Sequence, residues 1–263
     1  MGIKAKKSLG QNFLKDKETI ESIINIGEIT NNKVVLEVGP GTGALTEFII
    51  RKKPKEFYVV EKDIRLLSVL SKKFSNKINI INKDILKFKL NSITKQKLII
   101  FGNLPYNIST QILSEWITNE ENFNSFEKLI LMFQKEVADR ILAKTNTKNY
   151  GRLSIISNWR LNIKKEFDIK PQCFTPKPKV DSTLLSFSPK KEFFLLNKPK
   201  NIEKITRIFF NERRKMIKKP LNKIFKNYKK IAENYKLDLN LRPQNLNPTT
   251  YFKIVKEYEK LNN

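Results

Sequence analysis

The stretch Phe101-Gly102-Asn103-Leu104-Pro105-Tyr106-Asn107 gathers amides, a proline and an aromatic ring directly behind the apolar run Lys97-Leu98-Ile99-Ile100. That run reads as a buried strand, and a helical pattern over residues 108–116 follows. An amide and a ring at a strand's carboxyl end stand where ligands bind in open α/β sheets. A plain turn would use the same residue types, because Asn, Gly and Pro all favour turns. Two carboxylates are comparably placed. Glu61 ends the run Phe57-Tyr58-Val59-Val60, and Asp84 lies just past a strand-like stretch over residues 78–81. An acid in the first position can accept hydrogen bonds from both ribose hydroxyls of a nucleoside. One in the second can accept from the amine of an adenine, although a surface loop Asp fits the same position.

These groups need a scaffold, and the sequence supplies one. Val34-Val35-Leu36-Glu37-Val38 runs into Gly39-Pro40-Gly41-Thr42-Gly43 and then a helical segment over residues 44–50. Strand, glycine loop, helix is a nucleotide-binding arrangement: glycine lets backbone approach a ligand, and the helix start offers unpaired N–H groups. The loop alone is explained equally well by a tight turn. With an acid about 20 residues on it becomes more specific, without separating NAD from other adenosine cofactors. Further strand patterns at residues 98–101 and 126–134, with helical patterns between, predict an α/β fold with a parallel sheet and helices on both faces. A basic helix at 135–144, an apolar helix from Gly151, a short strand at 167–171 and a closing strand at 182–187 complete it. Between the last two, Cys173-Phe174-Thr175-Pro176-Lys177-Pro178 is a proline-fixed loop presenting Phe174. From residue 189 the composition turns to Lys, Pro and Asn, which sets the domain boundary between a first domain, 1–190, and a small, helical, basic one, 191–263.

Composition removes whole classes of chemistry. The chain of 263 residues has no histidine and one cysteine, Cys173. Catalytic triads, imidazole bases, His-ligated zinc, multi-cysteine metal sites and internal disulfides are thereby excluded, and no metal is expected. Lys and Arg number 52 against 26 Asp and Glu, a net charge of +26. Such an excess fits a polyanionic partner, above all nucleic acid. Codon bias in an AT-rich genome would inflate Lys, but it would inflate Glu as well, and acids have not kept pace. Arg213, Arg214, Lys215, Lys218 and Lys219 crowd two helical turns and are the candidate phosphate contacts. No apolar run reaches the roughly 18 residues of a membrane span, and Met1-Gly2-Ile3-Lys4-Ala5-Lys6-Lys7 lacks the apolar core of a signal peptide. A cytoplasmic protein that avoids membranes is expected.

Four stretches together resemble a known family: Lys-Ser-Leu-Gly-Gln-Asn-Phe-Leu at 7–14, Glu-Val-Gly-Pro-Gly-Thr-Gly at 37–43, Asn-Leu-Pro-Tyr-Asn-Ile-Ser-Thr at 103–110 and Phe-Thr-Pro-Lys-Pro-Lys-Val-Asp-Ser at 174–182. They are similar to motifs of the ribosomal RNA adenine N6,N6-dimethyltransferases, the KsgA family, and Phe-Asn-Glu-Arg-Arg-Lys at 210–215 is similar to its carboxyl-terminal motif. The resemblance implies a class I S-adenosylmethionine-dependent (Rossmann-like) methyltransferase domain followed by an all-helical RNA-binding domain, in a monomer. It implies S-adenosylmethionine as cofactor, held by Gln11, Asn12, Leu14, Gly39, Gly41, Glu61, Lys62, Asp84, Ile85 and Asn103. The implied catalytic set is Asn103, Leu104, Pro105, Tyr106 and Phe174, with Tyr106 and Phe174 stacking on the target base. The implied substrate is a pair of adjacent adenosines in a hairpin near the 3′ end of small-subunit ribosomal RNA. Alternatives are a methyltransferase of the same fold acting on large-subunit RNA, or an RNA-binding assembly factor keeping the pocket as a relic.

Overall fold

The computed structural model describes residues 5–6 and 10–261. Lys4 and Lys7–Leu9 of the basic start lie outside the described residues. Nine strands follow in chain order: β1 (Phe13–Leu14), β2 (Val34–Val38), β3 (Glu56–Glu61), β4 (Asn79–Asn82), β5 (Leu98–Gly102), β6 (Phe126–Gln134), β7 (Leu161–Ile169), β8 (Phe174–Thr175) and β9 (Ser182–Pro189). The helices are α1 (Lys17–Ile26), α2 (Ala44–Arg51), α3 (Ile64–Phe74), α4 (Ser109–Thr118), α5 (Glu120–Phe123), α6 (Lys135–Ile141), α7 (Arg152–Arg160), α8 (Asn201–Asn211), α9 (Lys218–Ile224), α10 (Tyr228–Asn234) and α11 (Pro248–Leu261).

Seven strands form one sheet in the order β4-β3-β2-β5-β6-β9-β7. The first five are parallel, and β2 and β5 are buried along their whole length at the centre. Continuous apolar runs are what strands covered on both faces require. The sheet is not wholly parallel, as the alternation suggested, because β9 runs antiparallel to β6. The helix–strand alternation has ceased there: β9 follows a loop and the two-residue β8, with none of the crossover a parallel neighbour needs. β7 also begins well before the short strand expected at residue 167.

Contacts divide the chain into two compact units. The first takes the chain up to Trp116, Glu120–Ala138 and Asn162–Pro189; the second takes Ile117–Asn119, Asp139–Leu161 and Lys190–Asn263. The cut after Pro189 falls beside the expected boundary, but residues 139–161 belong with the carboxyl-terminal helices. Their apolar residues serve that unit: Tyr150 Oη donates to the Leu246 carbonyl at 2.9 Å, and buried Trp159 packs on Phe193 and Phe252.

Within the first unit, Ile20, Ile23 and Ile24 of α1 join Val35, Leu45, Phe101 and Leu184 in the core. The two-residue ladder β1–β8 pairs Leu14 with Phe174, and both side chains end in that same core. Burying a Leu or Phe contributes roughly 1.5–3 kcal/mol, enough to hold the amino-terminal arm on the domain. The second unit is helical and rich in edge-to-face aromatic contacts, Phe209 on Tyr251 at 5.3 Å among them. Buried Glu259 of α11 accepts from the Asn197 and Lys198 N–H groups at 2.8 and 2.9 Å, fixing the chain just before α8. Among the described residues no helix is long and apolar enough to cross a membrane.

Candidate active site

The carboxyl ends of β2, β3, β4 and β5 surround a cleft of about 230 Å³. Each wall follows from a local rule. After β2 the chain turns through Gly39, Gly41 and Gly43 at φ 68°, 59° and 85°, values that penalise any residue with a Cβ. Space adds to the constraint: a Cβ on Gly41 would sit 2.8 Å from the Phe13 ring, while one on Gly39 would meet only the Asn103 carbonyl, at 3.7 Å. Gly39 thus leaves backbone exposed to the cleft, and Gly41 lets the arm close over it.

Glu61, at the end of β3, is 8% exposed. Its Oε1 accepts from the Asp63 N–H at 2.8 Å. Burial raises its pKa, and N–H groups of Asp63, Gly41 and Lys62 draw it back down. Asp84, beyond β4, meets Lys62 Nζ at 2.7 Å and accepts from the Leu86 N–H at 3.1 Å. The Lys62 hydrogen bond leads in holding its pKa below the usual range, so Asp84 is an ionised acceptor.

Asn103 follows β5. Its side-chain Nδ2 donates to the Asn12 backbone carbonyl at 2.7 Å. A planar amide whose nitrogen is committed in this way presents its oxygen as the free edge. Asn12 belongs to the arm that Gln11 anchors by donating to Asp63 Oδ2 at 3.0 Å. Asp63 caps α3 and pairs with Arg65 at 2.6 Å.

Gln11, Asn12, Leu14, Gly39, Gly41, Glu61, Lys62, Asp84, Ile85, Asn103 and Pro105 all line the cleft. Leu104, Tyr106 and Phe174 do not. Leu104 is 1% exposed and packs inward. Tyr106 is half-buried, its hydroxyl 2.6 Å from Ser182 Oγ, a bond joining the 103–110 stretch to the 174–182 stretch. Phe174 corrects the expectation of a ring offered to a base: it is 0% exposed. Its pairing with Leu14 on β1 places the ring in the core of the first unit.

Three contributors escaped the sequence reading. Phe13 packs on the glycine loop and Asp63 holds the arm, the latter signalled only by an Asp before a helical pattern. The third is Glu37, 1% exposed inside central β2. Thr46 Oγ1 donates to its Oε2 at 2.7 Å, while Oε1 has no partner. Burial, with Glu61 adding repulsion, pushes its pKa to about 8, so the group is largely protonated at neutral pH. An acid inside an otherwise apolar strand was its signal.

Among the described residues no group of three His, Cys, Asp or Glu side chains is placed to hold a metal. In the second unit the five candidate cations divide. Arg213 donates from Nε to Gln244 Oε1 at 3.2 Å and from Nη2 to the Lys148 carbonyl. Glu212 takes Lys219 at 3.1 Å and also Lys223. Arg214, Lys215 and Lys218 are exposed.

Comparison with known proteins bears on family and fold. A family model described as ribosomal RNA adenine dimethylase matches residues 2–260. A Pelagibacter ubique protein named ribosomal RNA small subunit methyltransferase A is 62% identical over 261 residues, 99% of each chain. A like-named protein of Ehrlichia ruminantium is 40% identical over 93% of each. Among solved structures, a dimethyladenosine transferase from Plasmodium falciparum aligns with TM-score 0.77 at 27% identity, covering 94% of this chain and 98% of that one. The 23S rRNA methyltransferase ErmE, at TM-score 0.66 and 23% identity over 95% and 100%, shares the fold. The mixed sheet with helices on both faces is the class I, Rossmann-like methyltransferase architecture. The match from residue 2 to 260 and the identity to these relatives lead to one assignment: the chain belongs to the ribosomal RNA adenine dimethylase family of methyltransferases.

Proposed function

We propose that the protein dimethylates N6 of two adjacent adenosines in a hairpin near the 3′ end of small-subunit ribosomal RNA, using S-adenosylmethionine. The carrying observation is the Asn103 amide, locked by the Asn12 carbonyl at 2.7 Å on the wall of a cleft with acids at two strand ends. The names borne by the most similar relatives support the small subunit as target.

The cleft's own chemistry fits the cofactor. Glu61 would hold the ribose hydroxyls and Asp84 the adenine amine, and the open backbone at Gly39 and Gly41 would lie against the methionine part. Bound there, S-adenosylmethionine supplies an electrophilic methyl group on a sulfonium. Asn103 Oδ1 would accept a hydrogen bond from an N–H of the target amine, and the Leu104 carbonyl is the second acceptor that the family resemblance implies for the first transfer. That draws the nitrogen toward tetrahedral geometry and frees a lone pair otherwise delocalised into the ring. The same acceptor dipoles stabilise the positive charge that develops on N6, the inverse of an oxyanion hole. The methylated ammonium is acidic enough to lose its proton to water, so no histidine is required. Tyr106, its hydroxyl fixed by Ser182, is the ring for stacking, an interaction worth about 1–3 kcal/mol per base. Arg214, Lys215 and Lys218 would meet phosphates.

The test offers cofactor labelled on its methyl group to unmethylated small and large ribosomal subunits in parallel. Label should enter small-subunit RNA. Transfer to large-subunit RNA alone, or to neither, would overturn the proposal.

A further inference from the structure

The basic turn after α8 carries one residue that charge does not explain. Met216 is 54% exposed and stands between Arg214-Lys215 and Ile217-Lys218. Its exposure is imposed by the turn. Neighbouring Ile217 is 0% exposed in the core of the unit, and the Ile217 N–H donates to the Leu241 carbonyl at 2.8 Å. The Lys215 N–H donates to the Glu212 carbonyl at 2.8 Å, and the Met216 carbonyl accepts from the Lys219 N–H at 3.2 Å. Backbone is therefore held on both sides, and the thioether is displayed from a rigid position.

The electrostatics around it are sorted. Glu212 engages Lys219 and Lys223, and Arg213 is spent on Gln244 and Lys148. Among the described residues no carboxylate pairs with Arg214, Lys215 or Lys218. Single exposed apolar side chains are ordinary on protein surfaces. One flanked in sequence by three cations that no carboxylate pairs is a different surface, and RNA, with its phosphates beside apolar sugar and base faces, matches that combination. Methionine, unbranched and polarizable, moulds to irregular surfaces, and apolar side chains set among cations are a recurrent way of gripping nucleic acid by shape.

We propose that Met216 is an RNA contact: an apolar wedge seated on ribose or base while Arg214, Lys215 and Lys218 hold the flanking phosphates. The inference rests on the ribosomal RNA reading above and adds a non-ionic element to it. The experiment measures binding of the full chain to unmethylated small ribosomal subunits across a salt series, for wild type, Met216→Ser, Met216→Leu, Lys218→Ser and Leu195→Ser. Leu195, 71% exposed in the same unit, is the control for loss of an exposed apolar side chain. Met216→Ser should weaken binding roughly three- to ten-fold with the salt slope unchanged, and Met216→Leu should restore it. Lys218→Ser should lower the slope by about 0.7–1, and Leu195→Ser should do neither. Wild-type binding by Met216→Ser, or an effect that vanishes at high salt as that of Lys218→Ser does, would overturn the inference. Failure of wild type to bind the subunits would instead overturn the functional reading.

Discussion

The cleft of the first unit and the basic turn of the second are built in opposite ways. In the cleft, each important side chain is fixed by a specific partner: Asn103 by the Asn12 carbonyl, Gln11 by Asp63, Asp84 by Lys62 and the Leu86 N–H. In the turn, the useful side chains are those left over once Glu212, Gln244 and Lys148 have taken their share. A reacting nitrogen must be met at one geometry, so the cleft needs rigidity. Phosphates along an RNA backbone tolerate several registers, so the turn needs free cations on a firm base. On the proposed function, pairing would mark the working side chains in the first region and its absence those in the second.

Four measurements would break or sharpen that contrast. The largest effect is expected from Asn103→Ala, which removes an acceptor made to work only on the substrate. Single-turnover methyl transfer at saturating cofactor should fall about a hundred- to a thousand-fold, well beyond any loss of cofactor affinity from freeing Asn12; activity within three-fold would break the rigid-acceptor account. Next is Gly41→Ala, which forces a Cβ into positive φ and to 2.8 Å from Phe13. Calorimetry should find cofactor affinity reduced about ten-fold or more, and unchanged affinity would mean the loop yields freely. Third, Arg214→Ala and Arg213→Ala should separate. The first should lower the salt slope of RNA binding by about 0.7–1. The second should lower the melting temperature with little change in slope, since it leaves Gln244 and the Lys148 carbonyl unpaired. Equal slopes in both variants would erase the sorting of cations.

The smallest effect concerns pH. Glu37 has a folded pKa of about 8 against 4.5 in the free side chain. Between these values the folded chain binds more protons than the unfolded one, so stability falls as pH rises. The carboxyl costs nothing below 4.5 and progressively more up to about 8. Asp63 and Asp168, held below the ordinary 3.8 chiefly by Arg65 and Lys135, act with the opposite sign at lower pH. Glu37→Gln should flatten the decline of melting temperature between pH 5 and 8, leaving the residual slope of Glu61, whose pKa is also raised. Identical slopes would show that the Glu37 carboxyl is not buried as described.

Much of the sheet was legible because its strands are continuous apolar runs punctuated by Gly, Asp or Glu; β2 and β6 keep their expected bounds. The acids and amide at the strand ends were legible for the same reason, since strand order brings them together once the sheet is parallel there. What stayed hidden is tertiary. Asn12 holds Asn103 through its carbonyl, 91 residues away, and a backbone acceptor has no sequence signature. β7 carries Asn162, Lys164, Lys165 and Glu166 between its apolar ends, so only its final residues read as strand. Residues 139–161 show no composition change to mark their transfer to the second unit. Phe174 looked presented because prolines flank it, but its ladder with Leu14 decides where the ring points.

The central claim is that an adenine amine is made nucleophilic at Asn103. It is tested most directly by digesting small-subunit RNA after reaction with the protein and excess cofactor, then mapping the modified nucleosides by mass spectrometry. The account predicts N6,N6-dimethyladenosine at two neighbouring positions in one hairpin near the 3′ end. A methyl on a ring nitrogen or ribose, or N6-methyladenosine that never proceeds to the dimethyl product, would contradict it.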